Sequence, residues 1–453
     1  MIHDESPQQS HSCRYRNACG KRRCSSGHVH RDRDAQSLND QLASRIEAAG
    51  GTITARLPQI GVVIVESNDP GFATRAAGVS GVRSAAADVA LQFAVPEPQG
   101  EISESFANPP NSGDNDRFFD LQWGHAAVDA AGAWNQGYRG AGVRVAVLDS
   151  GVFCAHADIA PNLIAAESAS FVAGESYCNT AANQSSHGTH VAGTIAAADN
   201  GIGTIGVAPE AKLIAVKVLS AATGSGGFAG IIQGIVYAAD HGADVINMSL
   251  GTDLPRGAGA DSNDIAELVN ATKRAVQYAR SQNALVVAAA GNDGRDLDHD
   301  ASLVSFPAQL PAVLSIASPP TLAWAKAPAS TFPADRACYS NYGQSGISFS
   351  APGGDFSYPG NEACTVRGVT TACWVFDMVM STVRTGFYGW NAGTSMAAPH
   401  VSGVAALIIG KNGGEMDPAA VERVLRASAD DLGKPGNDDT HGAGRVNANR
   451  AVD

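Results

Sequence analysis

The chain has 453 residues, 44 % of them hydrophobic and 17 % charged, with 50 glycines and a formal net charge of −13. That length carries one large domain with an appendage, or two or three average domains, and the apolar content supplies a sizeable core. The acidic balance excludes nucleic acid as the main partner, because phosphate binding needs a basic footprint; no run of about 18 apolar residues is present, which excludes a membrane-spanning helix.

Residues 1–35 read as a disordered basic leader, with seven Lys/Arg against four Asp/Glu. The leader lacks the apolar stretch of a secretory signal. Its Cys13, Cys19 and Cys24, taken with His28 and His30, fit no zinc spacing. Residues 36–95 read as a small unit of two helices and three strands. "SLNDQLASRIEAAGG" is an amphipathic helix stopped by Gly50-Gly51. "TITARLPQIGVVIVES" is two strands around a Leu57-Pro58 turn, "DPGFATRAAGV" a second helix and "VALQFAVPEP" a final strand. Residues 96–115, rich in Pro, Ser, Gly, Asn and acid, have the composition of an exposed linker open to proteolytic nicking.

Residues 116–453 read as one large domain in which strands and helices alternate. Strands are predicted over 143–149, 211–219, 243–251, 284–292 and 312–318, and helices over 187–197, 226–242 and 264–282. "VRVAVLD" is apolar throughout, as a strand covered on both faces must be. The alternation predicts an α/β fold: a doubly wound, mostly parallel sheet with helices on both faces. Ligands of such sheets gather at the carboxyl ends of the strands. Cys154 and Cys178 bracket one short segment, and Cys364 and Cys373 another. Each pair suits closure of a loop by a disulfide, which would imply an oxidising compartment; buried free thiols are the alternative.

Reactive residues mark the element ends. One strand ends in Asp149 and another in Asn292; helices open on His187 in "SSHGTHVAG" and on Ser395 in "GTSMAAPHVSGVAAL". A serine hydroxyl needs a base, an imidazole is suited to that task near neutral pH, and a buried carboxylate fixes the imidazole's tautomer. The oxyanion formed by attack on a carbonyl needs preorganised N–H donors, which a helix tip and a carboxamide supply. His190, one turn after His187, reads as a packing residue.

"VAVLDSGV", "HGTHVAGTIA", "VVAAAGNDG" and "GTSMAAPHVSGVAAL", in this order, resemble the motifs of the subtilisin-like serine proteases over residues 116–453. The resemblance implies a serine endopeptidase acting through an acyl-enzyme. Asp149 would orient, His187 serve as base and then acid, Ser395 attack, and Asn292 donate to the oxyanion. It implies that substrate lies as a strand between Gly224, Ser225 and Gly226 on one side and Ser249, Leu250 and Gly251 on the other. Phe228 would wall an outer apolar pocket, and Asp293, Gly294 and Ser305 would line the pocket before the scissile bond. Broad specificity with an apolar preference is expected. The alternatives are a dedicated processing protease for one partner or leader peptide, and a non-catalytic binding protein on the same fold.

Two further implications come with the resemblance. "DNGIGTIGVAP" is similar to the family's calcium loop, with Asn200 at the side-chain amide position and Ala198, Ile202 and Thr204 at the carbonyl positions; Asp158 and Asp116 would add carboxylates to a structural Ca2+ site. The 36–95 unit resembles the family's inhibitory propeptide, so that a cut within 95–116 would release the enzyme from a zymogen. Partners are then protein or peptide substrates and the chain's own propeptide, with no nucleic acid and no membrane. A secreted monomer is expected.

Overall fold

The structure, a computed structural model, describes residues 40–93, 96–102, 114–181, 183–256, 260–328 and 336–453, together with the backbone of 25–28. The leader cysteines Cys13, Cys19 and Cys24 lie outside these residues, as does most of the 96–115 linker.

Seven parallel strands form the central sheet, in the spatial order Phe349–Ser350, Val313–Ala317, Leu285–Ala289, Val245–Met248, Arg144–Asp149, Lys212–Lys217, Ala169–Ser170. Five of the seven fall where apolar runs predict them. The two outermost are two-residue strands, too short to show a period in the sequence.

Side-chain alternation along each strand divides the interior into two cores. Val145 and Val147 point into one with Val191, Ile195 and Val404; Ala146 and Leu148 point into the other with Ile231, Ile235 and Ala275. Helices His187–Ala196 and Thr394–Lys411 cover the first face, and Phe228–Asp240 and Ala260–Ser281 the second. From Arg144–Asp149 the chain winds first toward one edge of the sheet and then, from Val245–Met248, toward the other. The crevice of this switch opens beside Asp149 and Ser249, where a doubly wound sheet places its ligand.

The small N-terminal unit has its own core of Leu42, Ile46, Val63, Val65, Phe72 and Ala76. Val62 and Ile64, on the opposite face of the same strand, join the core of the large domain. Gln59 Nε2 donates to Asp240 Oδ2 at 2.7 Å, and Arg274 Nε to the Ile60 carbonyl at 3.1 Å, so the unit is seated on the two helices of the second face. Two sequence expectations change here. The leader, read as disordered to residue 35, holds a strand, Ser25–His28, on the edge of this unit's sheet. The linker is exposed at Gln99–Glu101 as read, but it holds another strand, Gln99–Ile102, paired with Tyr388–Asn391. Both are backbone pairings with distant partners, which local composition does not reveal.

Cys154–Cys178 and Cys364–Cys373 are disulfides, with Cα atoms 5.3 Å and 4.8 Å apart, and Cys338 is free. The second closes the hairpin Ala363–Val366/Val369–Ala372. Pro399 lies in the second turn of its helix, deeper than the first-turn position where a proline costs little. Its missing N–H frees the carbonyl of Ser395, which accepts instead from Ser249 Oγ at 2.7 Å.

His190 and His400 are wholly buried. His190 Nε2 donates to the Val379 carbonyl at 3.0 Å, and His400 Nδ1 to the Met396 carbonyl at 2.8 Å. Burial pushes His190 down to about 3, with the neighbouring His187 adding to the effect, and pushes His400 down to about 4. Folding therefore favours the neutral rings. Their contribution is full above the unfolded value of about 6.5 and is lost as pH falls through the folded values. In a histidine NMR titration, both rings should stay neutral from pH 8 to pH 5, while exposed His299, raised by Asp296, titrates above its ordinary value. A midpoint near 6.5 for His190 or His400 would contradict this packing.

Candidate active site

Asp149 closes the strand Arg144–Asp149 and is wholly buried. Its carboxylate accepts from the Ser150 N–H at 2.6 Å and from His187 Nδ1, at 2.9 Å to one oxygen and 3.0 Å to the other. A carboxylate only accepts, so Nδ1 carries the proton and a neutral ring holds its free lone pair at Nε2. That Nε2 is buried and has no hydrogen-bond partner. Gly188 lets the helix press this close: a Cβ there would stand 3.0 Å from Asp149 Oδ1 and would collide with the Gly151 carbonyl.

Ser395 lies one residue inside the Thr394–Lys411 helix and is 2 % exposed. Its Oγ donates to the Ser249 carbonyl at 3.2 Å, not to His187. Ser249 and Ser395 thus exchange hydrogen bonds in both directions. Asn292 Oδ1 accepts from Thr394 N and from Thr394 Oγ1, both at 2.9 Å. Two donors on the oxygen fix the amide's orientation and leave Nδ2 as the end that can donate elsewhere. Gly393 has φ 150°, and a Cβ there would meet Asn292 Nδ2 at 3.4 Å and Pro96 Cγ at 3.7 Å. An imidazole nitrogen without a partner, a hydroxyl and a carboxamide therefore lie at one end of the sheet, the kinds of group that attack on a carbonyl uses.

A depression beside them is lined by Gly251, Asp253, Asn292, Asp293, Ser305 and Ser395, among others. Asp293 and Ser305 are both on its wall. Gly294 is not on this wall; it faces the Cys338 carbonyl. Asp253 is an addition that no sequence motif marks, and it ion-pairs with Arg295. Partial burial raises the Asp293 carboxyl above its ordinary range, and the like charge of Asp253 adds to this.

The chain's own Ala90–Gln92 lies antiparallel on Ser225–Gly227, pairing Leu91 with Gly226, and the Phe93 N–H donates to the Gly224 carbonyl at 3.3 Å. The other expected flank, 249–251, forms no ladder with this strand among the described residues. Leu91 and Phe93 are buried in the same cluster as Phe228, whose ring sits 4.9 Å from that of Phe306. Beyond the gap at 94–95, the Pro96 carbonyl accepts from Asn391 Nδ2 at 2.7 Å.

The residues predicted to hold a cation are also brought together. Asn200 Nδ2 donates to Asp158 Oδ1 at 3.2 Å, Thr204 N to Asp158 Oδ2 at 3.0 Å, and Asn200 N to Asp116 Oδ1 at 3.3 Å. Carboxylate oxygens of Asp114, Asp116 and Asp199 lie within 4.8 Å of one another, a cluster able to bind a metal ion. Asp114 and Asp199 were missing from the sequence reading, though each lies within two residues of a predicted ligand. Arg139 pairs with Asp199 and stands 4.0 Å from Asp114. Asp116 Oδ2 is buried with no partner, and burial together with Asp114 pushes that carboxyl up to about 9. A hard cation suits such a set of oxygens.

The pattern of the subtilase family of peptidases matches residues 140–444. M-protease of Shouchella clausii (strain KSM-K16) is 36 % identical over 334 residues, 73 % of this chain and 70 % of its own length. Subtilisin E of Bacillus subtilis (strain 168) is 37 % identical over 333 residues, 73 % of this chain and 71 % of its own. Among solved structures, a lanthipeptide protease superposes with a TM-score of 0.60 at 28 % identity, covering 78 % of this chain and 99 % of that one. The epidermin leader peptide processing serine protease of Staphylococcus aureus has a TM-score of 0.73 at 21 % identity, covering 95 % and 98 %, and speaks for the fold alone. With the family pattern spanning most of the large domain and relatives above one third identity, this chain belongs to the subtilase family and is a serine endopeptidase.

Proposed function

We propose that this endopeptidase is made as a zymogen and cuts peptide bonds with Asp149, His187, Ser395 and Asn292. His187, its Nδ1 committed to Asp149, takes the Ser395 proton at Nε2 as the hydroxyl turns from the Ser249 carbonyl to attack the substrate carbonyl. Asn292 Nδ2 and the Ser395 backbone N–H stabilise the oxyanion. The imidazolium protonates the leaving amine, and the same ring then activates water to hydrolyse the acyl-enzyme.

The observation that carries this reading is the course of the chain's own tail. It runs as an added strand on 225–227 up to Phe93 and continues from Pro96 beside Asn391, where a Cβ on Gly393, two residues before Ser395, would stand 3.7 Å from Pro96 Cγ. On this reading the 36–95 unit is the inhibitory propeptide, and the first cut falls between Phe93 and Pro96, at the start of the linker. Buried Leu91 and Phe93 support an apolar preference on the acyl side, while Asp253 and Asp293 leave room for a basic side chain in the depression. A narrower reading, a protease dedicated to one leader peptide, draws on the 28 % identical lanthipeptide protease. A cleavage profile on a mixed peptide library separates the two. The two disulfides support export to an oxidising compartment.

Calcium is the proposed structural cofactor, held by Asp116, Asp158, Asn200 and the carbonyls of Ala198, Ile202 and Thr204, with Asp114 and Asp199 beside them. The unpartnered buried oxygen of Asp116 supports this. When bound, the ion supplies charge neutralisation and cross-linking of the loop rather than chemistry.

Ser395→Ala should leave the purified chain at full length, whereas the wild type loses its first ~94 residues by mass spectrometry; normal processing of the variant would assign maturation to a second protease. Chelation with EDTA should lower the melting temperature by roughly 5 °C or more, since a ligand at 100 times its Kd contributes about 2.7 kcal/mol. An unchanged Tm would count against a stabilising cation.

A further inference from the structure

Past the gap at 94–95 the tail does not leave the enzyme. Gln99–Ile102 adds as an antiparallel strand to Tyr388–Asn391, the segment that leads into Gly393 and Ser395. The ladder slips by one residue at Gly100, whose φ of 70° lies in the left-handed region. Glu97 and Glu101 both reach one cation across this irregular stretch. Arg384 Nη1 lies 3.5 Å from Glu97 Oε2, and its Nη2 3.6 Å from Glu101 Oε1.

Arg384 is held for this contact from its own side. It sits in the turn that joins Val379–Thr382 to Tyr388–Asn391, closed by the bond from Val383 N to the Phe387 carbonyl at 2.8 Å. Its backbone N–H donates to Ser186 Oγ at 3.2 Å, and Nη1 also donates to the Gln184 carbonyl at 3.4 Å. Glu97 Oε2 accepts a further bond, 3.3 Å from the N–H of Ser186, the residue just before the His187 helix. The acidic group is therefore read by a guanidinium and a backbone N–H at the positive end of a helix. Among the described residues, Glu97 and Glu101 are the acidic partners of Arg384. Once the tail departs, this cation is left facing the leaving-group side of the cleft.

We propose that Arg384 determines specificity on the leaving-group side, selecting substrates with an acidic side chain at the position that Glu97 occupies, four residues beyond Phe93. The proposal rests on the reading of the tail as the enzyme's first substrate. It adds a charge requirement downstream of the cut to the apolar preference upstream of it. Arg384 acts by binding, not by chemistry, so its effect belongs in KM.

The test uses the full chain after its own processing, acting on a peptide of residues 88–103 and on the same peptide with Glu97→Lys. The wild-type enzyme should cut the Glu97→Lys peptide about fivefold less efficiently in kcat/KM, the scale of a partly exposed ion pair, with the loss in KM. Arg384→Gln should abolish the difference, and Arg384→Glu should reverse it, which a merely structural arginine would not do. Equal cleavage of the two peptides by the wild type, a measurement that needs no variant, would overturn the proposal. So would an Arg384→Glu enzyme that loses equally on both. A wild-type chain that digests casein but leaves the native peptide uncut between Phe93 and Pro96 would sink the reading of the tail itself, a different failure from indifference to residue 97.

Discussion

A carboxylate withdrawn from water must be hydrogen-bonded, and Asp149 is withdrawn completely. It meets that demand with the Ser150 N–H and with Nδ1 of His187. Much follows from this one requirement. The ring's tautomer is set, its orientation is set, and its remaining lone pair is directed away from Asp149. The His187 helix must lie close enough to make the bond, which is why the residue after the histidine has no side chain.

Topology brings the remaining groups to the same place. The winding of the sheet reverses between the strands that end in Asp149 and Met248, and Ser249 follows directly on the second. Ser249 then grips the helix that carries Ser395, taking up the carbonyl that Pro399 cannot satisfy. A proline in the second turn of this helix thus creates the acceptor that ties the helix to the sheet. Thr394 does the same for Asn292, holding its oxygen with two donors so that its N–H₂ is free for other work.

How much of this was legible in the sequence depends on the range of the interaction. Apolar runs such as "VRVAVLD" and the spacing of the long helices carry local information, and the five inner strands and four main helices lie where those patterns put them. The ends of those elements named Asp149, His187, Asn292 and Ser395, because reactive residues at strand and helix termini stand out against an apolar background. What depends on distant partners was not legible. Gln99–Ile102 looks like linker because it continues a stretch rich in Pro, Gly and Glu, and only the edge of Tyr388–Asn391 makes it a strand. Ser25–His28 is a similar case. Asp253 and Arg384 belong to no motif and acquire meaning only from what faces them. Asp114 and Asp199 stood beside predicted ligands, but sequence spacing alone did not mark them as neighbours in space.

The central claim is that the buried Asp149–His187 pair activates Ser395. Covalent labelling of the matured chain with a fluorophosphonate, followed by peptide mapping, addresses it most directly. One equivalent of label on Ser395 in the wild type, lost in His187→Ala while the circular dichroism spectrum is retained, is the predicted result. A matured wild-type chain that takes no label, or carries it on another serine, would contradict the account.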